Sequence, residues 1–319
     1  MPTDDDDYDT VGRAIFRHLS DLVDCHTWMQ NSPVQIEFIR FSAADGVQLM
    51  GWMSRGRTKT GVLYVHGRAG NGYENRFVDA VRSSFERQGH TFLSIDTRGR
   101  GVITHFVRES GDARLGGSCY EVFEESAFDI QGAIDCLNAQ SVQKFILIGH
   151  SLGASKVANF ALKHPQNISS IVLIAPTDMV GWAAHDPQHN ALTAQAQDLM
   201  EQDKPEALVS SACWNEIDNP LSARTYLSVC QPGTAVDIYG HGISPSPLSR
   251  IRIPTAIIYG DRDVGISEVY GSIEDYQKKL LSFDNPRLRL AVIEGAEHGF
   301  QGYEEALARS VLASVEGYI

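Results

Sequence analysis

Six short, almost wholly apolar runs recur along this chain: "GVLYVHG", "TFLSID", "KFILIG", "SSIVLIAP", "TAIIYG" and "LRLAVIEG". Each is too short and too evenly apolar to form an amphipathic helix, so each predicts a strand buried on both faces. Helical patterns stand between them. "YENRFVDAVRSSFERQG" stops at Gly89, "YEVFEESAFDIQGAIDCLN" follows, and "ASKVANFALKH" puts Ala154, Val157, Ala158, Ala161 and Leu162 on one face. A helix near "DYQKKLL" and a final helix complete the series. Strands alternating with helices of this length predict an α/β fold, with a mostly parallel sheet covered on both faces.

The alternation is framed by less regular segments. Residues 1–34 begin with an acidic run, Asp4 to Asp7, and then place Val11, Ile15, Leu19, Leu22 and Val23 at helical spacing. "IEFIRFSAADGVQLMGWMS" reads as two strands joined at Asp45-Gly46. After Pro176 the alternation stops. Residues 177–249 are rich in Ala, Gln, Asp and Ser and predict a mainly helical insert before "TAIIYG" resumes the sheet. The domain reading is therefore an extension (1–34), a core in two pieces (35–176 and 250–319) and an insert (177–249).

A formal net charge of -13 argues against nucleic acid or an anionic membrane surface as partner. The five cysteines, Cys25, Cys119, Cys136, Cys213 and Cys230, are odd in number and form no C-x-x-C pair. That predicts neither a disulfide framework nor a zinc site, and fits a reducing compartment. No apolar run approaches the length of a membrane span, and the acidic start does not read as a signal peptide. The expectation is a cytoplasmic protein without cofactor or metal, with a homodimer left open.

Ser151 stands between Gly149 and Gly153, where a predicted strand turns into a predicted helix. Gly-x-Ser-x-Gly in that context is a nucleophile elbow. The serine takes a strained backbone conformation that lifts its hydroxyl above the sheet. A serine hydroxyl needs a base, and the base needs a carboxylate. Behind an elbow of this kind the chain order is Ser, then Asp or Glu, then His. "AIIYGDRDVGIS" offers Asp261 and Asp263, and "LRLAVIEGAEHGF" offers His298, each just past a strand's C-terminal end. Asp263 is preferred as the acid. Asp261 reads as a turn cap, and Asp178 in "IAPTDMV" is a third candidate. Asp129 and Asp135 read as surface charge on a helix.

Of the other histidines, His66 is expected to shape the loop beneath the site, and His150 to point away from the nucleophile's partner. His185, His189 and His241 fall in the insert as packing or surface groups that could also touch substrate. No His/Asp cluster has metal-ligand spacing. The oxyanion donors are expected to be the main-chain N–H groups of Leu152 and of Arg68 in "HGRAGNGYENRF". The Arg68 side chain is expected at the pocket mouth, attracting an anionic or carbonyl-rich substrate or pairing with an acid. Trp182 and Trp214 are candidate pocket walls, with core packing as the alternative.

The segments "VLYVHGRAG", "LSIDTRGRG", "FILIGHSLGAS", "IIYGDRDVG" and "IEGAEHGF" resemble, in order and spacing, those of the α/β-hydrolase superfamily. The resemblance covers residues 36–319 apart from the insert. It implies an eight-stranded, mostly parallel sheet with an antiparallel second strand and a cap inserted after the sixth. It implies Ser151 as nucleophile, Asp263 as acid, His298 as base, and Arg68 and Leu152 as oxyanion donors. A narrower resemblance, through the long segment before the elbow and the cap, is to a hydrolase group related to fungal siderophore esterases; it assigns no substrate. The loop "TRGRGVITHFVRESGDARLGGSCYE" is longer and more basic than the family's usual segment. Its Arg98, Arg100, Arg108 and Arg114 could grip carboxylates or phosphates, or only balance the acidic surface. The expected function is a serine hydrolase cleaving an ester of a small-molecule acyl substrate. Acyl transfer, thioester cleavage or macrocycle formation on the same triad is the alternative, and a non-catalytic ligand receptor the third reading.

Overall fold

The computed structural model describes residues 35–214 and 217–318. The predicted helix at residues 11–23, Cys25, and the side chains of Cys213 and Trp214 lie outside the described residues. The elements in chain order are β1 (Ile36–Ser42), β2 (Gln48–Ser54), β3 (Thr60–Val65), α1 (Phe77–Arg87), β4 (Thr91–Asp96), β5 (Thr104–Val107) and β6 (Ala113–Gly116). Next come α2 (Ser126–Asn138), β7 (Lys144–His150), α3 (Leu152–Lys163), β8 (Ile168–Ile174), α4 (Met179–Ala184), α5 (His189–Glu201), β9 (Leu208–Trp214), β10 (Ile217–Ser222) and α6 (Ala223–Cys230). The chain closes with α7 (Pro247–Arg250), β11 (Thr255–Gly260), α8 (Val264–Tyr270), α9 (Ile273–Leu281), β12 (Leu288–Ile293) and α10 (Glu304–Val315).

Eight strands form one sheet in the order β1-β2-β4-β3-β7-β8-β11-β12. β2 runs antiparallel to both of its neighbours, and every pair from β4 to β12 is parallel. The central strands β3, β4 and β11 are buried along their whole length, which is why they read as unbroken apolar runs. Helices cover both faces. Ile130 and Leu137 of α2, Val157 and Phe160 of α3, and Tyr276 and Leu280 of α9 pack on one. Phe77, Val81 and Phe85 of α1, with Leu307, Val311 and Val315 of α10, pack on the other. Each such side chain contributes roughly 1.5–3 kcal/mol on burial.

Between β8 and β11 the described chain carries the helices α4 to α7 and a hairpin, β9 with β10, that the sequence did not suggest, with irregular chain making up much of the rest. This segment has its own apolar cluster, in which Met179, Leu192, Leu221, Tyr226 and Val229 pack with Leu152 of α3. The segment before α2 also differs from the expected single helix. Phe123–Glu125 forms a 3-10 turn, because Phe123 is drawn into that cluster and Ser126 Oγ donates to its carbonyl (2.6 Å).

The arginine-rich loop is not a solvated connection. Its middle is the antiparallel hairpin of β5 and β6. Arg98, only 2% exposed, donates to Asp129 (2.7 and 2.9 Å), Asp45 (2.9 and 3.0 Å) and Glu125 (3.1 Å). Arg114 also pairs with Glu125, and Arg100 with Asp96. Asp129, read above as surface charge, is fully buried. Helical periodicity could not show its partner, because Arg98 lies 31 residues away. Removing one member of a buried pair strands the other charge. Asp129→Ala should therefore lower unfolding stability by about 3–5 kcal/mol, read as a lower urea midpoint at unchanged slope.

Candidate active site

β7 ends in a sharp turn. Ser151 sits there at φ 56°, ψ -125°, and α3 begins at the next residue. No room exists for side chains beside it: a Cβ on Gly149 would lie 2.3 Å from the Gly153 carbonyl oxygen, and one on Gly153 2.3 Å from that of Val65. Ser151 N–H donates to Ile174 O (2.9 Å), which pins the elbow to β8. Three other non-glycine residues around the site also have positive φ: Ala69 (54°), Ala175 (42°) and Phe300 (53°). Backbone held in this sparsely populated region, gathered at one place, marks a site that the surrounding fold over-determines.

The loops after β3, β7, β8, β11 and β12 enclose a cavity of about 570 Å³. Ser151, Asp263 and His298 all border it. Asp263, 3% exposed, accepts from His298 Nδ1 (2.8 Å) through one oxygen and from Gly265 N–H (3.0 Å) through the other. The other two acids are engaged elsewhere. Asp261 accepts from Gly295 N–H (2.6 Å), tying the end of β11 to the end of β12. Asp178 caps α4 through Gly181 N–H (2.9 Å) and takes His241 Nε2 (2.7 Å) and Tyr270 Oη (2.5 Å). That bond to Asp178 raises His241 above the usual histidine range.

Ser151 Oγ hydrogen-bonds to Thr177 Oγ1 (2.9 Å), and no described hydrogen bond joins it to His298. Catalytic hydrogen bonds often close only once substrate is in place. Leu152, expected as an oxyanion donor, opens α3. Gly67 approaches Ser151 so closely that a Cβ there would sit 2.8 Å from Ser151 Cβ, and the next residue, Arg68, borders the cavity. The Arg68 side chain is half-buried. Burial lowers its pKa, opposed by Cys230, Glu121 and Cys119. Trp182 also borders the cavity, among Val102, Met179, Val264 and Ile266. Among the described residues no three His, Cys, Asp or Glu side chains are grouped to hold a metal ion.

Residues 61–207 match the family model for the alpha/beta hydrolase fold. An esterase of Pyrococcus furiosus superposes with a TM-score of 0.57 over 89% of this chain and 91% of its own, at 17% identity. The esterase Est1E from Butyrivibrio proteoclasticus does so at 0.58, over 87% and 98%, also at 17% identity. The chain has the α/β-hydrolase fold. In sequence, this chain is 28% identical over 128 residues to a rice (Oryza sativa subsp. japonica) protein named a probable 1-acylglycerol-3-phosphate O-acyltransferase. That stretch is 40% of this chain and 28% of the rice protein. The chain spans about a quarter of the length of the curated relatives it matches.

Two histidines outside the cavity lining hold the loops of the site together. His66, fully buried, accepts Thr97 N–H at Nε2 (2.9 Å) and donates from Nδ1 to Gly67 O (2.7 Å), so it braces the loop beside Ser151 as expected. His150 departs from expectation. Rather than pointing away from the nucleophile's partner, its ring lies 5.0 Å from that of His298, and Nε2 donates to the His298 carbonyl (3.0 Å). Phe77 holds it edge-on from the other side. The residue before Ser151 thus carries the loop of the candidate base.

Burial pushes both His66 and His150 down to about 3. An unfolded chain would protonate them near pH 6.5. Between these values the unfolded state binds two more protons, so stability is present above about pH 6.5 and is lost as pH falls towards 3. The slope from this pair is about 2.7 kcal/mol per pH unit in the middle of that window. Urea titrations at pH 4, 5 and 7 should show it, and His150→Gln should remove about half.

Thr177 is the site residue that sequence reading passed over, and His150 the one it oriented wrongly. Thr177 did carry a signal, since it follows β8 at the sheet edge where the other site residues stand. His150 carried none, because its partner is a main-chain carbonyl 148 residues on.

Proposed function

We propose that this α/β-hydrolase is a serine hydrolase that cleaves an ester through an acyl-serine intermediate. The observation that carries the reading is the buried Asp263 bonded at 2.8 Å to His298 Nδ1, on the wall of the cavity that also holds Ser151 at its strand-to-helix turn. Asp263 fixes His298 with its proton on Nδ1, so that Nε2 can accept. Ser151 Oγ leaves Thr177, gives its proton to His298 Nε2 and attacks the carbonyl carbon. The tetrahedral oxyanion is received by the N–H groups of Leu152 and Arg68. His298 then protonates the departing alkoxide, and a water molecule, deprotonated by the same nitrogen, releases the acid. The cavity volume of about 570 Å³ is in the range of small-molecule sites, and its lining is largely apolar. The substrate of this reading is thus a small acyl ester.

A second reading is acyl transfer, in which an alcohol or amine replaces water in the last step. It is favoured by the name of the rice relative. Burst kinetics with p-nitrophenyl esters of graded chain length test both. The expected result is one nitrophenolate released rapidly per Ser151, then steady turnover. A burst followed by turnover only on adding an alcohol would select transfer. No burst and no labelling of Ser151 by a fluorophosphonate would sink both and favour the ligand-receptor reading.

A further inference from the structure

The charges around the cavity are unevenly satisfied. Asp263 gives its two oxygens to His298 and Gly265, and Asp178 gives its two to Gly181, His241 and Tyr270. Their negative charge is spent on internal partners. Arg262 is different. It stands in the loop between β11 and α8, directly before Asp263, and it borders the cavity with an exposed side chain. Its main-chain N–H donates to Ala296 O (3.0 Å), while its guanidinium makes no hydrogen bond or ion pair with any described residue. Apolar side chains that are themselves exposed, Val102 (39%) and Val264 (54%), border the same cavity. Met179 and Ile266, which are buried, line it further in.

We propose that the cavity takes an anionic amphiphile: an ester whose apolar chain lies along Val102, Met179 and Ile266 and whose carboxylate or phosphate pairs with Arg262. The proposal names the substrate class of the serine-hydrolase reading and rests on that reading. The chain carries a formal net charge of -13, which repels anions at long range, so a local cation beside the reacting groups has to select them. Guanidinium suits the task, because its planar fork meets carboxylate and phosphate oxygens two at a time. Glu297, exposed and bordering the same cavity, is a competing negative charge that limits the gain.

Binding measured apart from turnover tests this. Calorimetry would compare hexyl phosphate, hexanoate and 1-hexanol on the wild type, Arg262→Gln and Arg262→Lys. At least one anion should bind the wild type about fivefold or more tighter than hexanol, as for one ion pair covered by ligand. That advantage should vanish in Arg262→Gln, survive in Arg262→Lys and shrink with added salt. Which anion holds the advantage tells phosphate from carboxylate. Equal binding of hexanol, or an advantage unchanged in Arg262→Gln, overturns the proposal. Failure of the serine-hydrolase reading shows instead as the absent burst, so the two failures are distinguishable.

Discussion

On the proposed serine-hydrolase reading, Ser151→Ala should lower kcat for an ester substrate by roughly a millionfold, which is what loss of a triad nucleophile costs. In the proposed mechanism Ser151, His298 and Asp263 work as a unit, and this sets the size of the effect. Without Oγ there is no acyl-enzyme, and His298 and Asp263 are left with nothing to activate but water. The residual rate over solution should come from the oxyanion N–H groups and from binding, at roughly a thousandfold. Structurally the variant should be quiet. Among the described residues the hydroxyl hydrogen-bonds to Thr177 Oγ1, and the elbow is held by Ser151 N–H to Ile174 O, which alanine keeps. Thermal unfolding within about 2 °C of the wild type, with abolished burst and labelling, is the expected pair of results. An unchanged steady-state rate would place the nucleophile elsewhere.

How far the sequence reaches depends on how far apart the interacting residues lie. The parallel strands were legible because burial on both faces leaves an unbroken apolar run, as in "VLYV" of β3 and "FILI" of β7. Ser151 was legible because a strained turn between strand and helix imposes glycine on both sides, and the two Cβ clashes at Gly149 and Gly153 show why. The hairpin of β9 and β10 was not, since "LVSSACW" and "IDNPLS" alternate weakly and contain Pro220, which argues against a strand. Charge was the least legible property. Asp129 and Arg98 both look like surface residues one at a time, and only the fold brings them together. Lys156, fully buried in α3 against Glu121, repeats the point. Composition counts charges without saying which of them face one another.

Asp263→Asn carries the second large effect, about ten-thousandfold in kcat. The geometry of the carboxylate explains why so small a change costs so much. Asp263 Oδ1 accepts Gly265 N–H and Oδ2 faces His298 Nδ1, so an asparagine keeping the first contact turns its NH₂ towards the imidazole. That amide donates where the carboxylate accepted. Nδ1 must then be the bare nitrogen, and the proton moves to Nε2, which in the proposed mechanism has to take the serine hydrogen and no longer can. Asp178→Asn and Asp261→Asn are the comparisons. Asp178 serves His241, Tyr270 and the α4 cap, and Asp261 serves Gly295, so each substitution should cost less than about tenfold through shifted loops rather than through a wrong tautomer. Steady-state kinetics on the three variants separate the candidates. If Asp263→Asn stays within tenfold of the wild type while Asp178→Asn falls by thousands, the acid is Asp178. His241, which Asp178 already holds at 2.7 Å, would then be the base to examine in place of His298.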